Sequence, residues 1–165
     1  MTRVKRPPAA PMHPQEALVR RFFDRLAAAD AAGAAACYHP DVFYSDPLFP
    51  RLHGAPAADL WRMRLEELPD LAIRLEDASG DADGAFARWV LAYTARGRRI
   101  AVPVRSMFAF REGRISRHYD HFSLWRWAAQ AHGLAGAALG WFGPWRWALR
   151  QRFARSLERF SDSRG

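Results

Sequence analysis

The chain has 165 residues, of which half are hydrophobic and 13% aromatic. That length and apolar content predict one folded domain and exclude a disordered chain. The formal net charge is +8, and because Lys5 is the only lysine the excess is almost entirely Arg. Such a charge would suit nucleic acid or an anionic membrane, but no nucleic-acid-binding motif accompanies it, and the base composition of the gene would produce the same excess. Nucleic acid is therefore not expected as a partner.

Two further features limit the class of protein. Cys37 is the only cysteine, which excludes a disulfide framework, and no Cys–His spacing typical of a metal site surrounds it. We therefore expect no metal and no organic cofactor. Residues 1–12 are rich in Pro and charge, which predicts a flexible leader, and the N-terminal segment lacks the apolar core of a signal peptide, which predicts a cytoplasmic protein.

The first half of the chain predicts helices around a single strand. Residues 13–30 indicate a helix, because apolar residues recur every four positions at Leu18, Phe22 and Leu26. The following elements are a short helix at 31–39, a strand at 41–47 and a third helix at 55–69.

Four strand-like segments then follow, at 71–78, 85–95, 99–110 and 114–125. Short connections containing Gly join them, as in β-hairpins. Helices followed by an antiparallel meander indicate an α+β fold. A curved sheet wrapped around a helix layer fits this order and leaves a cone-shaped hollow.

Two segments carry a family resemblance. The strand unit "YHPDVFYSDP" and the last-strand pattern "GRISRHYDHFS", in this order of elements, resemble the nuclear-transport-factor-2-like superfamily, especially its ketosteroid-isomerase-like and SnoaL-like members. The resemblance implies an α+β cone domain over residues 13–124, with a curved mixed sheet around N-terminal helices. It also implies a homodimer paired through the sheet, and a small hydrophobic, carbonyl-bearing ligand of the steroid or polyketide type in the cone. Fold alone does not fix function here, since the superfamily mixes enzymes with binding modules.

The candidate site follows from strand alternation. Tyr44 and Asp46 share one face of the first strand, and His118, Asp120 and Phe122 share one face of the last. An apolar pocket raises the pKa of a carboxylate and makes it a better general base near neutral pH. Asp46, Asp120 and His118 are therefore the candidate catalytic residues for isomerase or cyclase chemistry.

The resemblance gives these residues roles with two departures. Asp46 matches the general base of ketosteroid isomerases, but Phe22 stands where an oxyanion-binding Tyr is expected and Ser106 where a second acid is expected. Loss of one such donor typically costs about a hundredfold to a thousandfold in rate, so efficient isomerisation by that route is not expected. Asp120, two residues after His118, matches the acid–base Asp of SnoaL-type cyclases.

Other interpretations remain open at this point. The epoxide hydrolases of the superfamily use an Asp–Arg–Asp set, but the one candidate, Arg105, alternates away from Ser106 and is not favoured. Asp46 could instead cap a turn or be a buried acid with its hydrogen bonds satisfied, and Asp120 could be a partner of His118 or of a nearby Arg. A binding module without catalysis is then the alternative. The residues expected to contact a ligand are Tyr44, Phe22, Ser106, Phe108, Phe122 and Trp61.

Residues 125–165 form a Trp- and Arg-rich extension that the resemblance does not cover. A spanning helix is not expected, since the uncharged stretch after Arg126 is rich in Ala and Gly and breaks at Gly143–Pro144. After that break, apolar residues recur every four positions and predict an amphipathic helix. This apolar seam consists of Trp145, Leu149, Phe153 and Leu157. Three interpretations compete: the extension docks on its own domain or a second subunit, it forms a lid over the hollow, or it contacts an anionic membrane surface.

Overall fold

The computed structural model describes residues 11–163, so residues 1–10, most of the expected leader, lie outside the described residues. The helices are α1 (Pro14–Ala27), α2 (Ala31–Ala35), α3 (Ala55–Glu67), α4 (Leu124–Leu139) and α5 (Gly143–Asp162). The strands are β1 (Tyr38–Ser45), β2 (Leu52–His53), β3 (Ala72–Gly80), β4 (Ala85–Ala95), β5 (Arg98–Arg111) and β6 (Arg114–His121).

The six strands form one sheet in the order β2-β1-β6-β5-β4-β3, in which only β1 and β6 run parallel. The β4–β5 and β5–β6 hairpins turn on two residues each, Arg96–Gly97 and Glu112–Gly113. All four have positive φ, between 51° and 72°, as the twist of two-residue hairpins requires. This mixed sheet with its helices confirms the predicted α+β fold.

Helix α1 supplies the core of the cone. Its apolar stripe is buried, with Phe22 and Phe23 less than 2% exposed, and the helix contacts β3 and β4. The ring of Phe22 packs edge-on against Trp61 of α3 and Phe108 of β5. The narrow end of the cone is therefore filled by aromatic side chains.

Several element boundaries differ from the sequence expectation. Helix α1 ends at Ala27 rather than at 30, and α2 ends at Ala35 rather than at 39. β1 begins at Tyr38, three residues before 41, because Tyr38 is buried and pairs with Ile115 of β6. β6 ends at His121 rather than 125, because the Ser123 side chain accepts a hydrogen bond from the Arg126 backbone and so caps α4. Strand β2 has only two residues, which are too few to form a recognisable strand pattern in the sequence.

The C-terminal helices dock on the domain itself. Trp127 of α4 donates from Nε1 to the hydroxyl of Tyr93 at 2.8 Å, and Arg150 of α5 donates from Nε to the carbonyl of Pro47 at 2.8 Å. On the predicted seam, Leu149 and Leu157 are buried, and Trp145 and Phe153 pack partly buried beside them. Across residues 11–163, none of the helices has both the length and the apolar character that a membrane crossing needs.

Candidate functional site

A cavity of about 320 Å³ lies inside the cone, at the lower end of the ~300–1,000 Å³ range of small-molecule sites. Strands β4 and β5 provide an apolar wall that includes Leu91, Ile100, Val102 and Val104. Helices α4 and α5 complete the lining through Trp127, Ala131, Leu149 and Phe153. The C-terminal helices therefore roof the cavity.

Asp46 lies on the floor of this cavity and is only 4% exposed. Its Oδ1 accepts from the backbone N–H groups of Leu48 and Phe49, each at 2.7 Å. Its Oδ2 accepts from the Tyr44 hydroxyl at 2.7 Å and from Arg64 Nη2 at 2.9 Å. Asp46 thus closes the turn after β1 and also presents an ion-paired carboxylate to the cavity.

Asp120, on β6, is the second carboxylate on the cavity wall. Its Oδ1 accepts from Ser106 Oγ at 2.5 Å and lies 2.8 Å from His118 Nε2, and its Oδ2 accepts from the Tyr44 hydroxyl at 2.9 Å. Burial raises the pKa of Asp120, but His118 and the hydrogen-bond donors lower it more, so the net pKa lies below the ordinary value. Asp120 is therefore held ionised, and it is a weaker base than an isolated buried carboxylate.

The Tyr44 hydroxyl joins the two acids. Burial, followed by the charges of Asp120 and Asp46, raises the pKa of Tyr44 well above its usual value, so the hydroxyl keeps its proton. One O–H group thus serves two carboxylate oxygens.

A second layer of buried polar groups supports Asp120. The Tyr38 hydroxyl lies 2.8 Å from His118 Nδ1 and accepts from Trp61 Nε1 at 2.9 Å. Ser106 Oγ accepts from Trp89 Nε1 at 2.7 Å. Because an indole N–H can only donate and a carboxylate can only accept, the hydrogen bonds of the Ser106 branch run from Trp89 to Asp120. The direction of the Tyr38–His118 bond is set by the tautomer of His118.

Arg64 is the site residue that the sequence analysis missed. It projects from α3, its side chain is 13% exposed and lines the cavity, and its guanidinium lies 5.1 Å from the Trp61 ring centroid. Burial lowers the pKa of Arg64, but the charge of Asp46 and the hydrogen bond to it raise that pKa by more, so the group stays charged. The three-residue spacing from Trp61 to Arg64, which puts both on one helix face, is the signal that could have found it. Arg105, by contrast, is exposed on the outer face of the sheet.

The expected site residues fall into three layers. Asp46, Asp120 and Phe122 line the cavity. Tyr44, His118 and Ser106 lie behind them, joined to the acids by hydrogen bonds. Phe22, Phe108 and Trp61 are not on the cavity wall, because Phe22 packs edge-on against both other rings in the buried core.

Comparison with known proteins identifies the family of the chain and similar folds. The model of the SnoaL-like domain family matches residues 19–118. A nuclear-transport-factor-2-like protein of unknown function from Burkholderia pseudomallei superposes with a TM-score of 0.65 at 18% identity, over 73% of this chain and 99% of its own. An LEH-like epoxide hydrolase from M. tuberculosis gives 0.61 at 20% identity, over 76% and 93%. A Xanthomonas campestris protein named for a suspected polyketide cyclase activity gives 0.62 at 21%, over 72% and 96%. At these identities the likeness concerns the fold, and no curated protein matches the chain significantly.

Proposed function

The chain belongs to the SnoaL-like domain family, and from that premise we propose that its cavity binds a small, mainly hydrophobic molecule carrying a neutral polar group, such as a carbonyl of the steroid or polyketide type. The observation that carries the proposal is a mostly apolar cavity with its buried charges gathered at one place. Ligand sites commonly combine apolar walls with a few convergent polar groups.

The charges select the polar group of the ligand. Asp46 and Asp120 disfavour an anion at the floor of the cavity, and the Arg64 guanidinium disfavours a cation. Arg64 donates to Asp46 through Nη2, and a guanidinium has five N–H donors. A ligand carbonyl oxygen at the floor could accept from the others.

Binding is better supported than acid–base catalysis, which is the second candidate. Two carboxylates, a phenol and an imidazole do meet at one end of the cavity, as an isomerase or cyclase would need. The donors around Asp120, however, lower its pKa and so its strength as a general base. NMR titration of the Asp carboxyl carbons, assigned with Asp46→Asn and Asp120→Asn, should place Asp120 below about 3.9. A value clearly above that would favour the catalytic candidate instead.

A titration with the fluorescent ketone Prodan tests the binding proposal. We expect its emission to shift to the blue and to receive energy from Trp89 and Trp127, both of which line the cavity. Ala131→Leu puts extra volume into the cavity from the roof and should weaken binding by about tenfold or more, whereas Ala135→Leu, at an exposed position of the same helix, should not.

Two results would contradict the proposal. One is a Prodan emission that stays at its value in water, and the other is equal binding to the Ala131→Leu and Ala135→Leu proteins. Arg64→Met tests the polar contact separately. It should weaken Prodan binding more than that of a hydrocarbon probe of similar size, such as anthracene.

We also propose a homodimer through the outer face of the sheet. Phe86, Met107 and Tyr119 are exposed there and occupy neighbouring register positions on β4, β5 and β6. A row of exposed apolar side chains on a sheet face favours a protein contact. Analytical ultracentrifugation should show a dimer that Met107→Lys dissociates; a monomer at all concentrations would contradict this.

A further inference from the structure

The exposed apolar side chains of this protein are concentrated in its C-terminal helices. Trp141 is 71% exposed and Trp147 is 64% exposed, although tryptophan is highly buried on average. The exposed large apolar residues of this region are Trp125, Leu134, Leu139, Trp141, Phe142 and Trp147.

Two contacts place Trp125 beside the end of α4 and Trp141 against Phe142. Helix α4 bends sharply at Gly133, where φ is 62° and ψ is −138°, and its second half folds back beside its first. Trp125 Nε1 consequently donates to the carbonyl of Ala137 at 2.9 Å, and the rings of Trp141 and Phe142 touch each other. We call Trp125, Leu139, Trp141, Phe142 and Trp147 the tip.

The stretch of sequence that carries the tip has charge of one sign. Between Asp120 and Glu158 the chain contains no acidic residue. The basic residues of the same stretch are Arg126, Arg146, Arg150, Arg152 and Arg155, with His121 and His132. Guanidinium groups bind phosphate well.

We propose that the tip docks on the surface of a bilayer containing anionic phospholipids. Trp and Phe side chains insert at the headgroup level, and flanking Arg residues pair with lipid phosphates. Each basic residue near such a surface adds to the attraction, which salt screens. Contact is peripheral, since no helix of the described chain is able to cross a membrane.

The tip and the cavity roof are different sides of the same two helices. Trp127 and Ala131 of α4 and Leu149 and Phe153 of α5 face the cavity, whereas the tip faces outward. Docking therefore does not require an occupied cavity, and it is independent of the proposed ligand binding. It also makes truncation after Phe122 an unsuitable test, because the core would lose buried Leu124 and Trp127.

Vesicle co-sedimentation of the full chain tests the proposal. We expect binding to phosphatidylcholine vesicles that contain phosphatidylglycerol, little binding to phosphatidylcholine alone, and release by salt. The double substitution Trp141→Ser and Phe142→Ser should weaken binding by about tenfold or more, because both exposed rings are lost. The control, Met12→Ser, removes an exposed apolar side chain that belongs neither to the C-terminal helices nor to the proposed dimer face and should leave vesicle binding unchanged.

Tryptophan quenching on the unsubstituted chain gives a second readout that does not depend on any variant folding. Phosphatidylglycerol vesicles with brominated acyl chains should quench the fluorescence of the exposed Trp residues of the tip, and Trp141→Phe should remove part of that quenching. Failure to bind these vesicles, or equal binding by the tip double variant, would overturn the proposal. So would self-association in the absence of lipid that the tip variant abolishes, since the tip would then be a contact between copies.

Discussion

Tyr44→Phe removes one oxygen atom from the centre of the polar cluster and leaves the ring in place. The hydroxyl contacts Asp46 Oδ2 at 2.7 Å and Asp120 Oδ2 at 2.9 Å. Because Tyr44 is fully buried and its ring is retained, the substitution changes hydrogen bonding with little change in packing. It therefore isolates the contribution of the shared hydroxyl.

The size of the stability loss follows from the hydrogen bonds that each carboxylate keeps after the substitution. Asp46 Oδ2 keeps its bond from Arg64, but Asp120 Oδ2 keeps no donor among the described residues, since Ser106 and His118 both bind Oδ1. Leaving a buried acceptor unpaired costs about 1–3 kcal/mol, and more when it is charged. We expect Tyr44→Phe to lower the free energy of unfolding by about 2–4 kcal/mol at neutral pH on that basis.

Urea unfolding followed by tryptophan fluorescence measures this loss against two controls. Tyr119→Phe makes the same chemical change on the exposed face of β6 and should stay within about 0.5 kcal/mol of the parent. Tyr93→Phe removes one neutral acceptor, that of Trp127 Nε1, and should cost about 1 kcal/mol. If Tyr44→Phe costs no more than Tyr119→Phe, the hydroxyl does not hold the two acids together.

Three further predictions concern the same cluster and the roof. The pKa of Asp120 is lowered in the folded protein, so its stabilisation is complete above about pH 4 and is lost as pH falls through the folded pKa; an unfolding series should therefore show Asp120→Asn least stable relative to the parent at neutral pH, with the difference shrinking in acid. Ser106→Ala leaves Trp89 Nε1 without its acceptor and Asp120 without one donor, and should cost about 2–4 kcal/mol in urea unfolding, whereas a loss below about 0.5 kcal/mol would contradict this pairing. Gly133→Ala forces a side chain to positive φ, 3.2 Å from the Arg98 guanidinium, and should lower stability by about 1–2 kcal/mol. Gly143→Ala, whose added Cβ meets no neighbour, should be close to neutral. Equal melting temperatures for the two variants would show that the α4 bend does not require glycine.

The fold could be predicted because its signals are local. Four-residue apolar spacing in α1 and Gly-containing turns between long alternating strands are written in short stretches of sequence, and the structure confirms them. Alternation also placed Asp46 and Asp120 on inward faces correctly. What alternation cannot give is depth, so His118 and Ser106 were indistinguishable from wall residues although both lie behind the wall.

The features that the sequence did not predict share a physical cause. Each depends on contacts with residues far away in the chain. Arg64 resembles a solvated helix residue until β1 brings Asp46 against it. Strand β2 exists only through its pairing with β1. The roof arises because α5 packs on α3, although α3 ends 76 residues before α5 begins. Nothing within a window of ten or fifteen residues encodes such contacts.

The parallel pairing of β1 with β6 has a consequence for the order in which the chain folds. Tyr44 and Asp120, which this pairing brings together, are 76 residues apart, whereas the β4–β5 and β5–β6 hairpins close on two residues each. Closing a long loop costs more entropy than closing a short one, so the hairpins should form first and β1 should dock late. The floor of the cavity cannot assemble on the ribosome until β6 has emerged, and the apolar roof helices are synthesised later still. Substitutions that slow the docking of β1 should therefore increase aggregation during synthesis, even where the equilibrium stability of the finished protein is unchanged.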